Sequence, residues 1–257
     1  MRHPASAAGF PQGRQVVRRI AVAAVLLGAA GQASAAPPAP ALLPGAGALL
    51  GITQPAEADA ALERPFDDPV ELSLDAGGQT RETPAHCRAL LGLAPRIYGT
   101  RPAGDWNVLQ QRLADCQALQ WLAAGQVPQY SAMPPRLQAV RETRLWPAVI
   151  WPAISRDESN ALTRAAQTLR TASGRRIWQL VTPGRSGLAG LELASRGYTL
   201  RVQWLAHGDF DGDGWEDWLL RWQARVEGGS WRGARSVLLS RKAPAAVFTV
   251  NSGAPSR

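Results

Sequence analysis

The sequence has few of the residues from which most catalytic and redox sites are built. Its 257 residues include three histidines, two cysteines and one lysine. No apolar run reaches the roughly 20 residues that a membrane-spanning helix needs. The arginines are spread along the chain without a dense block, which disfavours the basic footprint of a nucleic-acid-binding protein. We therefore expect no nucleic-acid partner and no membrane-spanning segment after signal cleavage.

Residues 1–35 have the three parts of a secretory signal peptide. Their arginines are accompanied by no acid, an apolar run follows from Ile20 to Ala30, and Ala33-Ser34-Ala35 matches an A-x-A cleavage site. Arg18-Arg19 is a twin arginine, but the next residues fit that export pattern poorly, so the general secretory route is favoured. No cysteine follows the cleavage region, which disfavours a lipoprotein anchor. The expected location is periplasmic or secreted.

The cysteine pair, Cys87 and Cys116, agrees with export. An even pair in an oxidising compartment is most simply one disulfide. Two buried free thiols are the alternative. A zinc site is disfavoured because the two cysteines lack a C-x-x-C spacing.

Changes in composition divide the rest of the chain into three sections. Residues 36–65 are rich in proline and alanine, which predicts a flexible segment. Residues 66–174 are mainly helical by pattern, with one strand expected near Val70–Leu74. Residues 175–257 show alternating apolar positions and turn residues, which predict six strands. The predicted fold class is α+β, with a helical section joined by one disulfide and a C-terminal antiparallel sheet.

Three helices are expected in the section 66–174. The first, Pro84–Leu91, follows an N-cap at Thr83 and ends at a glycine. The second has apolar residues at helical spacing between an Asp105 cap and Gly125. The third begins with a capping box, in which Ser155 and Glu158 cap each other's backbone, and ends at Gly174.

Tryptophans are expected to fill much of the core of the C-terminal half. Trp146 and Trp151 each precede a proline, which favours extended backbone, and both rings are expected to point inward. Trp218 and Trp222 alternate with polar residues in a predicted strand with one buried face. These four rings are therefore expected in the core and not in a ligand site.

The segment 207–222, HGDFDGDGWEDWLLRW, carries the strongest chemical signal. It places five carboxylates within nine residues, in the pattern D-x-D-x-D-G-x-x-D. Hard cations such as calcium take six to eight oxygen ligands, and carboxylates at alternate loop positions can surround one ion. The glycine permits a sharp turn that lets the next carbonyl point inward. The candidate ligands are Asp209, Asp211, Asp213 and Asp217 through their side chains and Trp215 through its carbonyl.

This segment departs from one known calcium loop and resembles another. Leu220 stands where an EF-hand places its bidentate glutamate, and a strand pattern follows, so an EF-hand switch is disfavoured. The segment resembles the calcium loop of FG-GAP or VCBS-type repeats, the strand-loop-strand units of integrin-like β-propellers. The resemblance covers about 20 residues and implies that the five candidates bind calcium. Because the motif occurs once, it does not imply a propeller.

Two functions remain open from the sequence. The favoured one is a binding or structural module of the bacterial envelope, in which calcium is structural and the partner is an envelope protein or glycan. Trp215 and Trp231 are the best candidates for exposed rings that make such contacts. The alternative is a hydrolase of envelope glycans or peptides in which calcium is structural. His207 could belong to a Ser-His-Asp arrangement, but no G-x-S-x-G motif is present, and a spacer or core role is favoured for it. If no metal binds, the acidic segment is a solvated turn.

Overall fold

Antiparallel strands form the C-terminal half, as the sequence predicts. The computed structural model describes residues 39–134, 141–164, 167–181 and 190–251, so the predicted signal peptide lies outside the described residues. The strands are β1 (Ala41–Leu42), β2 (Glu71–Ser73), β3 (Arg81–Glu82), β4 (Gly99–Arg101), β5 (Gln179–Val181), β6 (Gly190–Ser195), β7 (Tyr198–Gly208), β8 (Asp217–Val226), β9 (Arg232–Ser240) and β10 (Thr249–Asn251). The larger sheet has the order β10-β9-β8-β7-β6-β5, and β1 pairs with β7.

The helices lie mainly in the N-terminal half. They are α1 (Ala46–Leu50), α2 (Ala58–Leu62), α3 (Cys87–Leu93), α4 (Trp106–Ala124), α5 (Arg156–Arg164) and α6 (Leu169–Ser173). A smaller antiparallel sheet, in the order β3-β2-β4, lies among them in the sequence. The fold is therefore α+β, and the predicted disulfide between Cys87 and Cys116 joins α3 to α4.

Two of the three predicted helices differ from the prediction, and the first continues through Gly92, the glycine at which it is predicted to end, to Leu93. The first helix begins at Cys87, because the Nδ1 of His86 and not Thr83 accepts a backbone N–H, from Ala89 at 3.3 Å. The second ends at Gly125 as predicted, although the side chain of Asp105 makes no capping bond. The Ser155 and Glu158 capping box is present. The predicted third helix is two helices, α5 and α6, with the second ending at a left-handed Gly174.

The large sheet is buried on both faces at its centre, which differs from the prediction of one buried face for β8. One face packs against α1 to α4, where Leu219 meets the apolar side of α4. The other face carries a second core that contains Trp218, Trp222 and Phe248. Among the polar positions of β8, Arg221 is buried too and pairs with Asp115 of α4 at 3.0 Å, whereas Arg225 is exposed.

Residues 39–65 differ from the flexible segment that their composition predicts. Strand β1 pairs with the end of β7, and Leu43 N donates to Leu205 O at 2.8 Å. Leu205 lies where the register between β7 and β8 shifts, so its carbonyl is free to accept from outside the ladder. Helices α1 and α2 bury Ala46, Leu50 and Leu62 in the helical core. The small alanine side chains of this segment thus let α1 and α2 pack closely in the helical core.

The Trp-Pro segment forms 3₁₀ turns, and Trp146 and Trp151 themselves have the extended backbone that the following prolines predict. The turns span Thr143–Leu145 and Ala148–Ile150. Trp146 and Trp151 are buried, as predicted, and Trp146 contacts Trp178 edge-on at 5.2 Å between ring centroids. The segment therefore packs on the face of the large sheet that carries the second core, which is rich in tryptophan.

Candidate metal centre

The acidic segment connects the two longest strands of the large sheet. Strand β7 ends at Gly208 and β8 begins at Asp217, so the eight residues between them form the acidic loop (residues 209–216). Gly212 and Gly214 adopt left-handed backbone angles, with φ of 79° and 84°, which side chains with a Cβ rarely allow. These glycines let the loop turn back on itself within a few residues.

Three carboxylates converge in this connection. One oxygen each from Asp209, Asp211 and Asp217 lie within 4.8 Å of one another. Asp209 and Asp217 are 3% and 0% exposed, and Asp211 is partly exposed. Two oxygens on opposite sides of a calcium ion, each about 2.4 Å from it, are about 4.8 Å apart. The carboxylate set therefore fits a single hard cation.

The two buried carboxylates are held by hydrogen bonds that leave room for a cation. Asp209 accepts from Gly212 N at 2.8 Å and from Gly214 N at 2.9 Å. Asp217 accepts from Phe210 N at 3.0 Å and also from the hydroxyl of Ser240. A carboxylate offers about four lone-pair sites, so each of these aspartates keeps about two for other ligands.

Burial and mutual repulsion make the ionised cluster costly without a cation. Burial raises the pKa of Asp217 to about 7, although hydrogen bonds from Ser240 and Phe210 act in the opposite direction. Burial, followed by repulsion from Asp213, also raises the pKa of Asp211. A bound cation would favour the ionised carboxylates.

The two other candidate ligands lie beside this cluster. Asp213 Oδ2 is 2.7 Å from Lys242 Nζ, and its Oδ1 accepts from Trp215 N at 2.8 Å. The Trp215 ring is half-buried and lies 5.3 Å from the Tyr130 ring between centroids. The structure thus brings three of the four predicted aspartates together and places Asp213 against a lysine. The ligand roles of Asp213 and of the Trp215 carbonyl stay predictions.

A segment after α4, residues 126–131, wraps the acidic loop, and we call it the strap. Gln126 and Asp209 exchange two backbone hydrogen bonds, at 2.7 and 3.0 Å. Gly214 O accepts from the backbone N–H of both Gln129 and Tyr130, and Glu216 N donates to Tyr130 O. The strap therefore fastens both ends of the acidic loop to the end of α4.

Sequence reasoning missed the strap, Ser240 and Lys242. These residues are separated from the acidic loop by 24 to more than 70 positions, and no local pattern marks them. The single lysine of the chain was visible in the sequence, but its place next to Asp213 follows from the pairing of β8 with β9.

His207 takes part in a buried polar group next to the acidic loop. Its Nδ1 is 3.6 Å from Glu216 Oε1, and the Ser131 hydroxyl donates to Glu216 Oε2 at 2.6 Å. In a Ser-His-Asp arrangement the serine hydroxyl donates to an imidazole. Here the Ser131 hydroxyl donates to the Glu216 carboxylate instead. This group connects the strap to β7 and to the last residue of the acidic loop.

The part of the chain that the structure describes has no helix that is both long enough and apolar enough to cross a membrane. Comparisons with protein-family models, with curated proteins and with solved structures find no match to this chain. The convergence of Asp209, Asp211 and Asp217 in a loop between two strands is therefore the observation from which function is argued.

Proposed function

We propose that this chain is an exported calcium-binding protein that acts as a binding or structural module of the bacterial envelope. The observation that carries the proposal is the approach of three carboxylate oxygens, two from the acidic loop and one from the first residue of β8, to within 4.8 Å. The metal is structural in this proposal, because the loop is held at both ends by the strap and by β8. The disulfide and the signal-like N-terminus support export.

Calcium is the cation that suits this ligand set best. The converging ligands are all carboxylates, whereas zinc and copper favour imidazole and thiolate. Calcium accepts six to eight oxygens in flexible geometry, while magnesium requires a tighter octahedron and keeps its waters. In the proposed bound state the Trp215 carbonyl and water complete the shell.

We also propose that the loop is of the FG-GAP or VCBS type. Its D-x-D-x-D-G-x-x-D spacing and its position between adjacent antiparallel strands support this assignment. The assignment requires Asp213 to turn from Lys242 to the cation. The contact between Asp213 and Lys242 is on the surface, where ion pairs are weak, so breaking it costs little free energy.

Thermal unfolding of the purified protein with calcium and with chelator tests the metal. We expect calcium to raise the melting temperature, and an Asp211→Asn, Asp213→Asn double variant to lose most of that rise. A matched control is Asp67→Asn with Asp68→Asn, which removes the same charge from two exposed aspartates outside the acidic loop. Identical melting of the wild type with calcium and with chelator would show a solvated turn without a metal.

Export is tested separately. We expect the protein expressed from its full sequence to accumulate outside the bacterial cytoplasm with a mass that corresponds to cleavage after Ala35. Retention in the cytoplasm at full mass would contradict the export part of the proposal and leave the metal test unaffected.

A further inference from the structure

A groove rich in tryptophan lies outside the acidic loop, and none of the proposed metal ligands lines it. Its volume is about 480 Å³, which is within the usual range for small-molecule sites. It lies between α4 and α5, with β8, β9 and the 3₁₀ segment as its other walls. We call it the tryptophan groove and define it by Trp106, Trp151, Trp222, Trp231 and Arg235.

The aromatic side chains of the groove are held in place by their neighbours. Tyr198 contacts both Trp231, at 6.5 Å, and Trp151, at 5.9 Å, in edge-to-face geometry. A Cβ at Gly233 would lie 3.1 Å from the Trp222 ring and 3.2 Å from the Trp231 ring. Glycine at this position therefore lets the two indoles approach each other closely. Trp106 adds a ring that is 38% exposed.

The polar groups of the groove are mostly donors. Arg235 lies 4.5 Å from the centre of the Trp222 ring and donates through one terminal nitrogen to Val149 O at 3.0 Å. Its Nε is buried and has no acceptor among the described residues. Among the described lining residues Arg235 is also the only charged one. The groove thus offers aromatic faces and one cation.

The backbone N–H groups on the outer edge of β9 already have acceptors, which disfavours an extended peptide as the ligand. Gln110 Oε1 accepts from Ala234 N at 3.2 Å, and Gln117 Oε1 accepts from Ser236 N at 3.4 Å. An extended peptide that added to this edge would need the same N–H groups. These glutamines line the groove, and their carboxamides still carry NH₂ donors.

We propose that the tryptophan groove binds an oligosaccharide of N-acetylated pyranose rings. The apolar face of a pyranose packs on an exposed indole, and its hydroxyl and acetamide oxygens accept hydrogen bonds from the Arg235 guanidinium and from the glutamine amides. The proposal deepens the proposed function by naming the chemistry of the partner, and it therefore rests on the binding-module assignment. It does not rest on the metal, because Trp222 is five residues along β8 from Asp217, about 17 Å.

Calorimetric titration of the purified, calcium-supplemented protein with tri-N-acetylchitotriose tests the proposal. We expect saturable binding together with a change in tryptophan fluorescence. Trp231→Ala and Trp106→Ala are each expected to weaken binding about tenfold, because each removes a stacking surface. Tyr98→Ala is the matched control: this residue is 65% exposed and lies outside both the groove and the strap, and its removal is expected to leave affinity unchanged.

The outcomes separate the groove from the metal site. Absence of saturable binding by the folded wild type, or equal affinity of Trp231→Ala, Trp106→Ala and wild type, overturns the saccharide proposal. Binding of a proline-rich peptide in place of the trisaccharide also overturns it, since such peptides dock on aromatic grooves. Near-ultraviolet circular dichroism verifies that each variant is folded. If Asp211→Asn with Asp213→Asn keeps saccharide affinity while losing the calcium effect, both sites stand as independent.

Discussion

Helix α4 is fastened to the rest of the molecule in two chemically different ways. At Cys116, in its third turn, a disulfide joins it to α3, and beyond its last residue the strap joins it to the acidic loop. Cys87 and Cys116 lie in an apolar core, whereas the acidic loop buries two carboxylates. A disulfide holds without any nearby charge. Buried carboxylates repel each other and are stabilised by a positive charge. The disulfide is therefore permanent under oxidising conditions, and we propose that a cation stabilises the loop junction.

The disulfide is expected to have the larger effect on stability. Its cysteines are 29 positions apart, and closing a loop of that length restricts the unfolded chain by about 3 to 4 kcal/mol. We expect Cys87→Ala with Cys116→Ala to lower the free energy of unfolding in urea by that amount. Reductant should destabilise the wild type and leave the double variant unchanged. Equal stability of the reduced and oxidised wild type would contradict this prediction.

Calcium is expected to have the next largest effect, at the other junction. A ligand held at 100 times its dissociation constant adds about 2.7 kcal/mol, and chelator should remove that gain. Because Cys116 lies eight residues, about 12 Å, before the end of α4 at which the strap begins, we expect the two effects to add. A calcium effect that disappears in the double cysteine variant would show that the two junctions are coupled.

Asp115 on α4, next to Cys116, offers a test of pH dependence. Burial raises the pKa of Asp115 to about 6, although Arg221 and Arg112 act in the opposite direction. The folded state then holds this proton more tightly than the unfolded chain does. The resulting stability is present below pH 4 and is lost as the pH rises to 6.

The comparison with Asp115→Asn isolates this effect from other titrations. We expect the wild type to lose about 1 to 2 kcal/mol relative to the variant between pH 4 and pH 6.5, with allowance for a side chain that is 31% exposed. Urea unfolding at several pH values measures the difference. A difference that stays constant with pH would show that Asp115 titrates normally.

Gly125 tests how tightly the end of α4 packs on the acidic loop. A Cβ there would lie 2.9 Å from Phe210 Cδ1 and 3.2 Å from Leu122 O, although φ of −62° allows any residue. We expect Gly125→Ala to cost about 1 to 2 kcal/mol and to weaken the response to calcium. Gly104→Ala is the control, because its Cβ would meet no atom within 4 Å. Equal melting temperatures of the two variants would contradict the prediction.

The smallest expected effect concerns the lysine next to Asp213. Lys242 lies 2.7 Å from an oxygen that calcium is proposed to use, and its charge competes with the cation. We expect Lys242→Ala to bind calcium about threefold more tightly, and Lys242→Arg to resemble the wild type. Calorimetric titration with calcium measures both. Weaker binding by Lys242→Ala would mean that the lysine supports the site.

The strands and the acidic motif could be predicted because their signals are local. Alternation located β6 to β9, and the carboxylate spacing located the acidic loop. The first helix was placed too early, since the Thr83-Pro84 pair resembles a helix start and the real cap is a histidine. The third helix was predicted as one because its apolar spacing continues across the break between α5 and α6. The flexible segment 36–65 was inferred from composition, which does not report the packing of Leu50 and Leu62.

The sequence by itself determined which residues alternate, which two cysteines can pair and where the carboxylates are concentrated. Each of these features depends on residues a few positions apart or on a count. Only the tertiary structure decided that β8 is buried on both faces, that the strap holds the acidic loop, and that four tryptophans and Arg235 surround one groove. Those features join residues that are tens of positions apart, and their contacts follow from how the helices and the sheet pack and not from any period in the chain.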